Sequence, residues 1–310
     1  MNLSARAVLL ASRLAPRAPE DLVRALALLA ADLAWWRRGR GVQRLEANLS
    51  RVHPCDARTL RRLSREGMRN YFRYFGEAFS LAGRSPEQIA ARVRAVGADA
   101  VTEHLDSGRS VVLALGHQGN WDLAGAWAAR ALGPVSTVAE RLEPPEVFEA
   151  FVALRESLGI QVIPLDRGRD VFRDLVSATR SGGRLVPLLA DRDLSERGVE
   201  VDLCGHRARV AAGPAALAVS TGAPLMVATL RHERLDAARR AVAGTRWGLV
   251  IDFVPVDVPD LPRGETVRAL TQAWVDVLGA DIAAHPTHWH MLQRVFLADL
   301  QERTAAGRAA

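Results

Sequence analysis

The stretch SVVLALGHQGNWDLAGAW, residues 110–127, decides how the rest of the chain is read. An apolar strand over Val111–Leu115 runs into Gly116-His117-Gln118-Gly119-Asn120, and a helical pattern begins near Asn120. Asn120 is a good N-cap and Asp122 falls in the first helical turn. The flanking glycines permit a tight turn and a close approach of substrate to backbone. His117 then projects at the C-terminal edge of a sheet, where open α/β folds place their sites. Asp122, five residues on, is expected to fold back and accept a hydrogen bond from the His117 ring, fixing its tautomer. The loop holds no Ser, Thr or Cys nucleophile. A His–Asp pair without one suits a substrate hydroxyl that attacks directly once His117 has taken its proton. A packed or exposed histidine after a strand is the plainer reading of the same spacing.

Outward from this stretch, strand and helix patterns alternate. Apolar runs recur at Val135–Val138, Gln161–Pro164, Arg184–Leu189, Leu225–Thr229 and Trp247–Phe253. Helical patterns occupy 122–132, 145–158, 168–181, 213–221 and 264–284. The order predicts an α/β fold, a mostly parallel central sheet flanked by helices on both faces. Residues 1–310 parse as one domain: a helical, basic, membrane-facing layer over 1–82, an α/β core over 83–300 and a flexible tail over 301–310.

The N-terminal layer carries the charge asymmetry. Residues 1–75 hold 15 Arg against 6 Asp and Glu, a net of +9, and the remainder of the chain sums to −3. The apolar stretch Ala25–Trp36 is 12 residues long with Asp32 inside it, short of the ~20 a spanning helix needs. No signal-peptide pattern accompanies it. Trp35 and Trp36 beside Arg37 and Arg38 fit an interfacial segment, indole at the headgroup level and guanidinium on phosphate. An ordinary core helix with a solvated basic end is the alternative. A second helix is expected over 56–82, with Leu60, Leu63, Met68, Tyr71, Phe72 and Phe75 at helical spacing. No nucleic-acid motif accompanies the arginines.

Composition excludes several chemistries. All 41 basic residues are arginine; there is no lysine, hence no Walker A loop, pyridoxal Schiff base or kinase-type phosphate lysine. A GC-rich genome accounts for that usage. Two cysteines, Cys55 and Cys204, exclude a disulfide scaffold and a four-cysteine zinc site and suggest a reducing compartment. Cys204 is expected to be a small buried hydrophobe.

GHQGNWDLAG resembles the signature block of the lysophospholipid/lipid A-type acyltransferases. Three further stretches agree in order: Val138–Glu146 with Leu154-Arg155 and Gly159; Leu189–Leu194 with Gly198–Gly205; and Arg209–Val219 with Thr221–Met226. Within that family the chain is most similar to the branch acting on phosphatidylinositol mannosides. The resemblance implies a monotopic enzyme on the cytoplasmic face of the bacterial plasma membrane, held to an anionic membrane surface. It implies transfer of a palmitoyl-type chain from acyl-CoA, a co-substrate, to the 6-hydroxyl of a mannose, with no further cofactor. His117 is then the general base and Asp122 its orienting partner, while Glu140, Arg155 and Asp191 line the acceptor pocket.

The residues fit that implication. An anionic head group calls for bidentate arginine, with Arg155 and Arg192 as candidates. Glu140, Asp191 and Asp193 would meet mannose hydroxyls, a solvated ion-pair cluster being the plainer account. Oxyanion donors are sought at the start of the helix after Asn120 or on a nearby arginine. Ala124, Gly125, Ala126, Ala128 and Ala129 leave room for an acyl chain, or simply let that helix pack on the sheet.

Three rivals stand beside this reading. A lipid A-type enzyme would use acyl carrier protein as donor. His285, His288 and His290 raise a zinc hydrolase, but their spacing matches no metal motif and no metal is expected. A non-catalytic membrane-binding protein could share the fold.

Overall fold

The computed structural model describes residues 9–10, 12–141, 143–165, 170–193, 198–257 and 261–300; the expected tail over 301–310 lies outside them. Three helices come first: α1 (Glu20–Arg37), α2 (Arg40–Val52) and α3 (Ala57–Ser80). Asp56 starts α3 by accepting hydrogen bonds from the amides of Arg58 and Thr59. There follow α4 (Pro86–Arg92), β1 (Val93–Val96), α5 (Ala98–Asp106), β2 (Val111–Leu115), α6 (Trp121–Ala131), β3 (Val135–Glu140), α7 (Pro145–Ser157) and β4 (Ile160–Leu165). The chain continues through α8 (Val171–Arg180), β5 (Leu185–Leu189), β6 (Val199–Leu203), β7 (His206–Val210), α9 (Gly213–Thr221), β8 (Leu225–Arg234), α10 (Ala237–Ala243), β9 (Trp247–Val256) and α11 (Arg263–Ala284).

Seven strands form one sheet in the order β1-β9-β8-β2-β5-β3-β4. Every neighbouring pair is parallel except β8 and β9. The expected α/β class, mostly parallel and covered on both faces, is what forms. β2 shows why: all five of its residues are buried. Alternate side chains feed two cores, Val112 and Ala114 into one, Val111, Leu113 and Leu115 into the other.

Three strands escape the sequence pattern. β1 is a four-residue edge strand with Arg94 inside it. β6 and β7 form a separate two-stranded hairpin, bridged at Ala208 to Phe296, and alternate apolar residues with Glu200, Asp202, Arg207 and Arg209. Their turn places Cys204 and Gly205 at φ 54° and 79°, the left-handed pair of a two-residue hairpin turn. Cys204 is therefore a half-buried turn residue packed against the edge of the core rather than fully within it, its thiol on the Gly279 carbonyl.

Within the N-terminal layer α3 is the central helix: α1 and α2 pack against it, and it reaches α6 and the chain's C-terminal end. Among the described residues no helix is long and apolar enough to cross a membrane. Leu22, Leu26, Leu29, Leu33 and Trp36 form an exposed stripe along α1, with Trp36 73% exposed. The tryptophan pair divides. Trp35 turns inward, its indole donating to Ser64 Oγ (3.0 Å) with Arg61 and Arg65 stacked on the ring. Arg38 closes α1 in the left-handed region and pairs with Glu46 while its side chain stays largely exposed, so Trp36, Arg37 and Arg38 of the expected interfacial four lie on the outer surface.

Candidate active site

The register of β2 and β5 builds the site. Leu115 stands opposite Leu189, and the Ala190 amide extends the ladder by donating to the Leu115 carbonyl. Two residues further on, the same register brings His117 beside Asp191. The Asp191 carboxylate meets His117 Nδ1 at 2.6 Å through Oδ1. Its Oδ2 accepts from the His117 amide and from the Trp289 indole, each at 2.8 Å. Asp191 is 1% exposed. Burial alone would raise its pKa, but the His117 ring and amide and the Trp289 indole hold it below the ordinary carboxylate value. An ionised Asp191 makes Nδ1 the protonated nitrogen of a neutral His117 and leaves Nε2 as the basic one.

Asp122 is not His117's partner. At the second position of α6 it is buried behind the loop, accepting from the Tyr74 hydroxyl (2.8 Å) and from Arg155 Nε (2.7 Å). The expected Asp122–His117 hydrogen bond does not form because β5, not the following helix, presents a carboxylate in register with the ring. The Asp122 carboxylate holds Arg155 above the usual guanidinium value although burial opposes it. Asp191, expected at an acceptor pocket, does not line the cavity in front of His117: protein donors occupy its carboxylate.

Glu140, at the end of β3, and Arg192, one residue past Asp191, do reach the cavity. So do Arg155, His117 and Trp121. Arg192 pairs with Glu140 (3.1 Å) and donates to the Gln293 side chain, so a carboxylate and an amide hold its guanidinium in place. Trp121 stands edge-on to the His117 ring. A second, apolar cleft lies between α6 and the sheet, lined by Ala124, Gly125, Ala128, Leu113, Leu185 and Phe253 among others. Trp121, Val138, Arg155 and Leu189 border both spaces. Ala126 of the small-residue run is buried outside the cleft.

Sequence reasoning missed the element that closes the loop. The His290 amide donates to the His117 carbonyl (2.7 Å), and the His288 carbonyl accepts from the Gly119 amide (3.1 Å). His288 Nδ1 accepts from the His232 amide (2.9 Å), which requires a neutral ring there. Burial is the main cause that lowers the His288 pKa to about 3 and puts His290 well below its ordinary value. His285 and His288 stand ring to ring at 6.3 Å, while the His290 ring packs against Tyr71, Tyr74 and Trp121. Among the described residues no three His, Cys, Asp or Glu side chains converge in a metal-holding group. Beneath the loop, Asn120 caps α6 through the Leu123 amide and donates to Glu77, itself paired with buried Arg92. The amides of His117, Gln118 and Gly119 all have protein acceptors, which removes them as oxyanion donors.

The arrangement is an imidazole oriented by a buried carboxylate in a cavity that adjoins an apolar cleft across Trp121, Val138, Arg155 and Leu189. It can deprotonate a hydroxyl beside an acyl chain. Known proteins place the chain among acyltransferases. The family described as bacterial lipid A biosynthesis acyltransferase matches residues 7–298. The phosphatidylinositol mannoside acyltransferase of Mycolicibacterium smegmatis is 36% identical over 298 residues, covering 95% of this chain and 91% of the relative. That of Mycobacterium tuberculosis H37Rv is 38% identical over 275 residues, covering 88% and 82%. The chain belongs to the bacterial lipid A biosynthesis acyltransferase family and is an O-acyltransferase.

Proposed function

We propose that the enzyme transfers a palmitoyl-type chain from acyl-CoA to the 6-hydroxyl of a mannose in phosphatidylinositol mannosides. His117 is the general base and Asp191 its orienting residue. The observation that carries the mechanism is the 2.6 Å contact between His117 Nδ1 and Asp191 Oδ1. The acceptor hydroxyl gives its proton to Nε2 as its oxygen attacks the thioester carbonyl. The C–S bond breaks, and the leaving thiolate takes the proton from the imidazolium. No acyl-enzyme forms, consistent with a loop that carries no side-chain nucleophile. Acyl-CoA is a co-substrate and no other cofactor is used.

The acyl chain lies in the cleft beside Ala124, Gly125 and Ala128, and the sugar in the cavity with Glu140 and Arg192. The Leu22–Trp36 stripe docks on the cytoplasmic face of an anionic membrane, with Arg37 at the lipid phosphates. Asp122 acts as a positioning residue that fixes Arg155 at the boundary of cleft and cavity.

The test is CoA release from palmitoyl-CoA by purified protein, with and without phosphatidylinositol mannoside, in wild type and His117→Ala. Acceptor-dependent release that the variant loses is the expected result. Equal release in both would remove His117 from the reaction. Release only with acyl carrier protein and a lipid A precursor would replace donor and acceptor while keeping the fold and the base.

A further inference from the structure

Both arginines that border the cavity are already engaged. Arg155 is bound to Asp122, and Arg192 to Glu140 and Gln293. A substrate phosphate therefore finds no uncommitted guanidinium among the cavity's lining residues. On the other side of Gln293 lies a second depression, formed by the first turns of α2 and the segment after Trp289. Gln293 lines both spaces. Arg40, Arg44 and Arg294 border this depression, and among the described residues none of the three has a hydrogen bond or ion-pair partner for its side chain. Asp299 is the only carboxylate there among the described lining residues. Its charge is spent on Arg51, which grips both of its oxygens at 2.6 and 2.7 Å.

Three uncompensated guanidinium groups around one concavity repel each other without an anion to share. Arg40 is also the first residue of α2, whose N-cap Gly39 supplies no side-chain acceptor, so the helix dipole adds the same sign. Asn48 fixes the geometry by donating to the carbonyls of Met291 and Gln293, both at 2.8 Å. The depression is thus held rigidly against the wall of the catalytic cavity.

We infer that Arg40, Arg44 and Arg294 form a binding site for a phosphate group of a substrate whose reacting end lies at His117. The inference rests on the proposed acyl transfer. Guanidinium forks match phosphate oxygens bidentately, so three of them can surround a phosphodiester or a phosphate monoester. Two sources share that chemistry, the nucleotide phosphates of the acyl donor and the phosphodiester of the lipid acceptor.

The experiment compares wild type with Arg40→Gln/Arg44→Gln/Arg294→Gln in steady-state transfer, using palmitoyl-CoA, palmitoyl-pantetheine and phosphatidylinositol mannoside. The expected result is a KM at least roughly tenfold higher for one phosphate-bearing substrate with kcat retained, the loss expected for charge-assisted hydrogen bonds. A rise for palmitoyl-CoA but not for palmitoyl-pantetheine assigns the site to the nucleotide. A rise for the acceptor alone assigns it to the lipid. Unchanged KM for every substrate overturns the inference, including when the variant only loses affinity for anionic vesicles. Calorimetric titration with adenosine 3′,5′-bisphosphate and with glycerophosphoinositol reads the site without turnover. If wild type is inactive toward all of these substrates, binding that the variant loses still supports the phosphate site. Failure of both ligands to bind wild type then overturns it.

Discussion

His117 and Asp191 each stand two residues beyond the end of adjacent parallel strands, and one register joins them. The proposed general base and its carboxylate are therefore set by the sheet itself. Asp191→Asn preserves the shape but places a neutral amide against Nδ1, and the ring loses its enforced tautomer. The expected outcome is a fall in kcat of about two to four orders of magnitude with little change in thermal midpoint, measured by CoA release. A variant within a factor of a few of wild type would remove Asp191 from the proposed mechanism.

Asp122→Asn separates the two carboxylates. It leaves Arg155 buried with its counter-charge removed, a change that costs about 3–5 kcal/mol when a buried pair is broken. The expected signature is a large drop in the urea midpoint, with Tyr74→Phe giving a smaller one. If Asp122→Asn instead leaves stability intact and abolishes turnover, the carboxylate acts on the chemistry and not on the scaffold.

The apolar cleft proposed to hold the acyl chain makes a prediction about chain length. Ala124 lines it, and leucine there intrudes upon the space a long chain would fill. Ala124→Leu is expected to shift the preferred donor from palmitoyl toward shorter chains, read as kcat/KM across a series of acyl-CoAs. An unchanged profile would place the chain elsewhere.

Trp35 and Trp36 are expected to behave differently. Trp36→Ser removes an exposed indole and should weaken partitioning onto anionic vesicles several-fold while leaving the melting temperature alone. Trp35→Ser breaks the Ser64 hydrogen bond and the arginine stack, so it should lower stability. The reverse pattern would contradict docking through the outer face of α1.

Acid should unfold the protein early. Burial keeps His288 at about 3 against 6.5 for a free ring, and lowers His232 and His290 as well. Between those pH values the unfolded chain binds protons that the folded chain excludes. Stability is therefore full above about pH 6.5 and falls as pH drops, by up to about 1.4 kcal/mol per pH unit for each ring. Burial disfavours ionised Glu77, yet Arg92 and His232 hold it at about 2, which extends the loss below its free value of 4.5. Urea midpoints at pH 7.5, 6.5, 5.5 and 4.5 would show the slope; a flat profile over that range contradicts it.

The sheet was legible because apolar runs such as Val111–Leu115, bounded by glycine and charge, cannot be satisfied except in a doubly covered parallel sheet. His117 was legible from its strand–turn–helix setting. Its partner was not, because Asp191 is 74 residues away and only the β2–β5 register brings the two together. Local spacing pointed to Asp122, which α6 turns toward Tyr74 and Arg155 instead. Asp191 does carry a local sign, a carboxylate two residues past an apolar run, as His117 is past its own. The division of labour between Trp35 and Trp36 depends on which face α1 turns to α3, and adjacent residues on one helix point in different directions.

The residues that close the His117 loop lie far from it in sequence. Trp289 reaches Asp191, His290 reaches His117, and Met291 and Gln293 are tied to Asn48 at the far end of the sequence. A chain with its sheet alone in place still lacks the indole that anchors Asp191 and the amide that steadies His117. These contacts join residues 98 to 245 positions apart, so the site is completed by long-range closure rather than strand by strand.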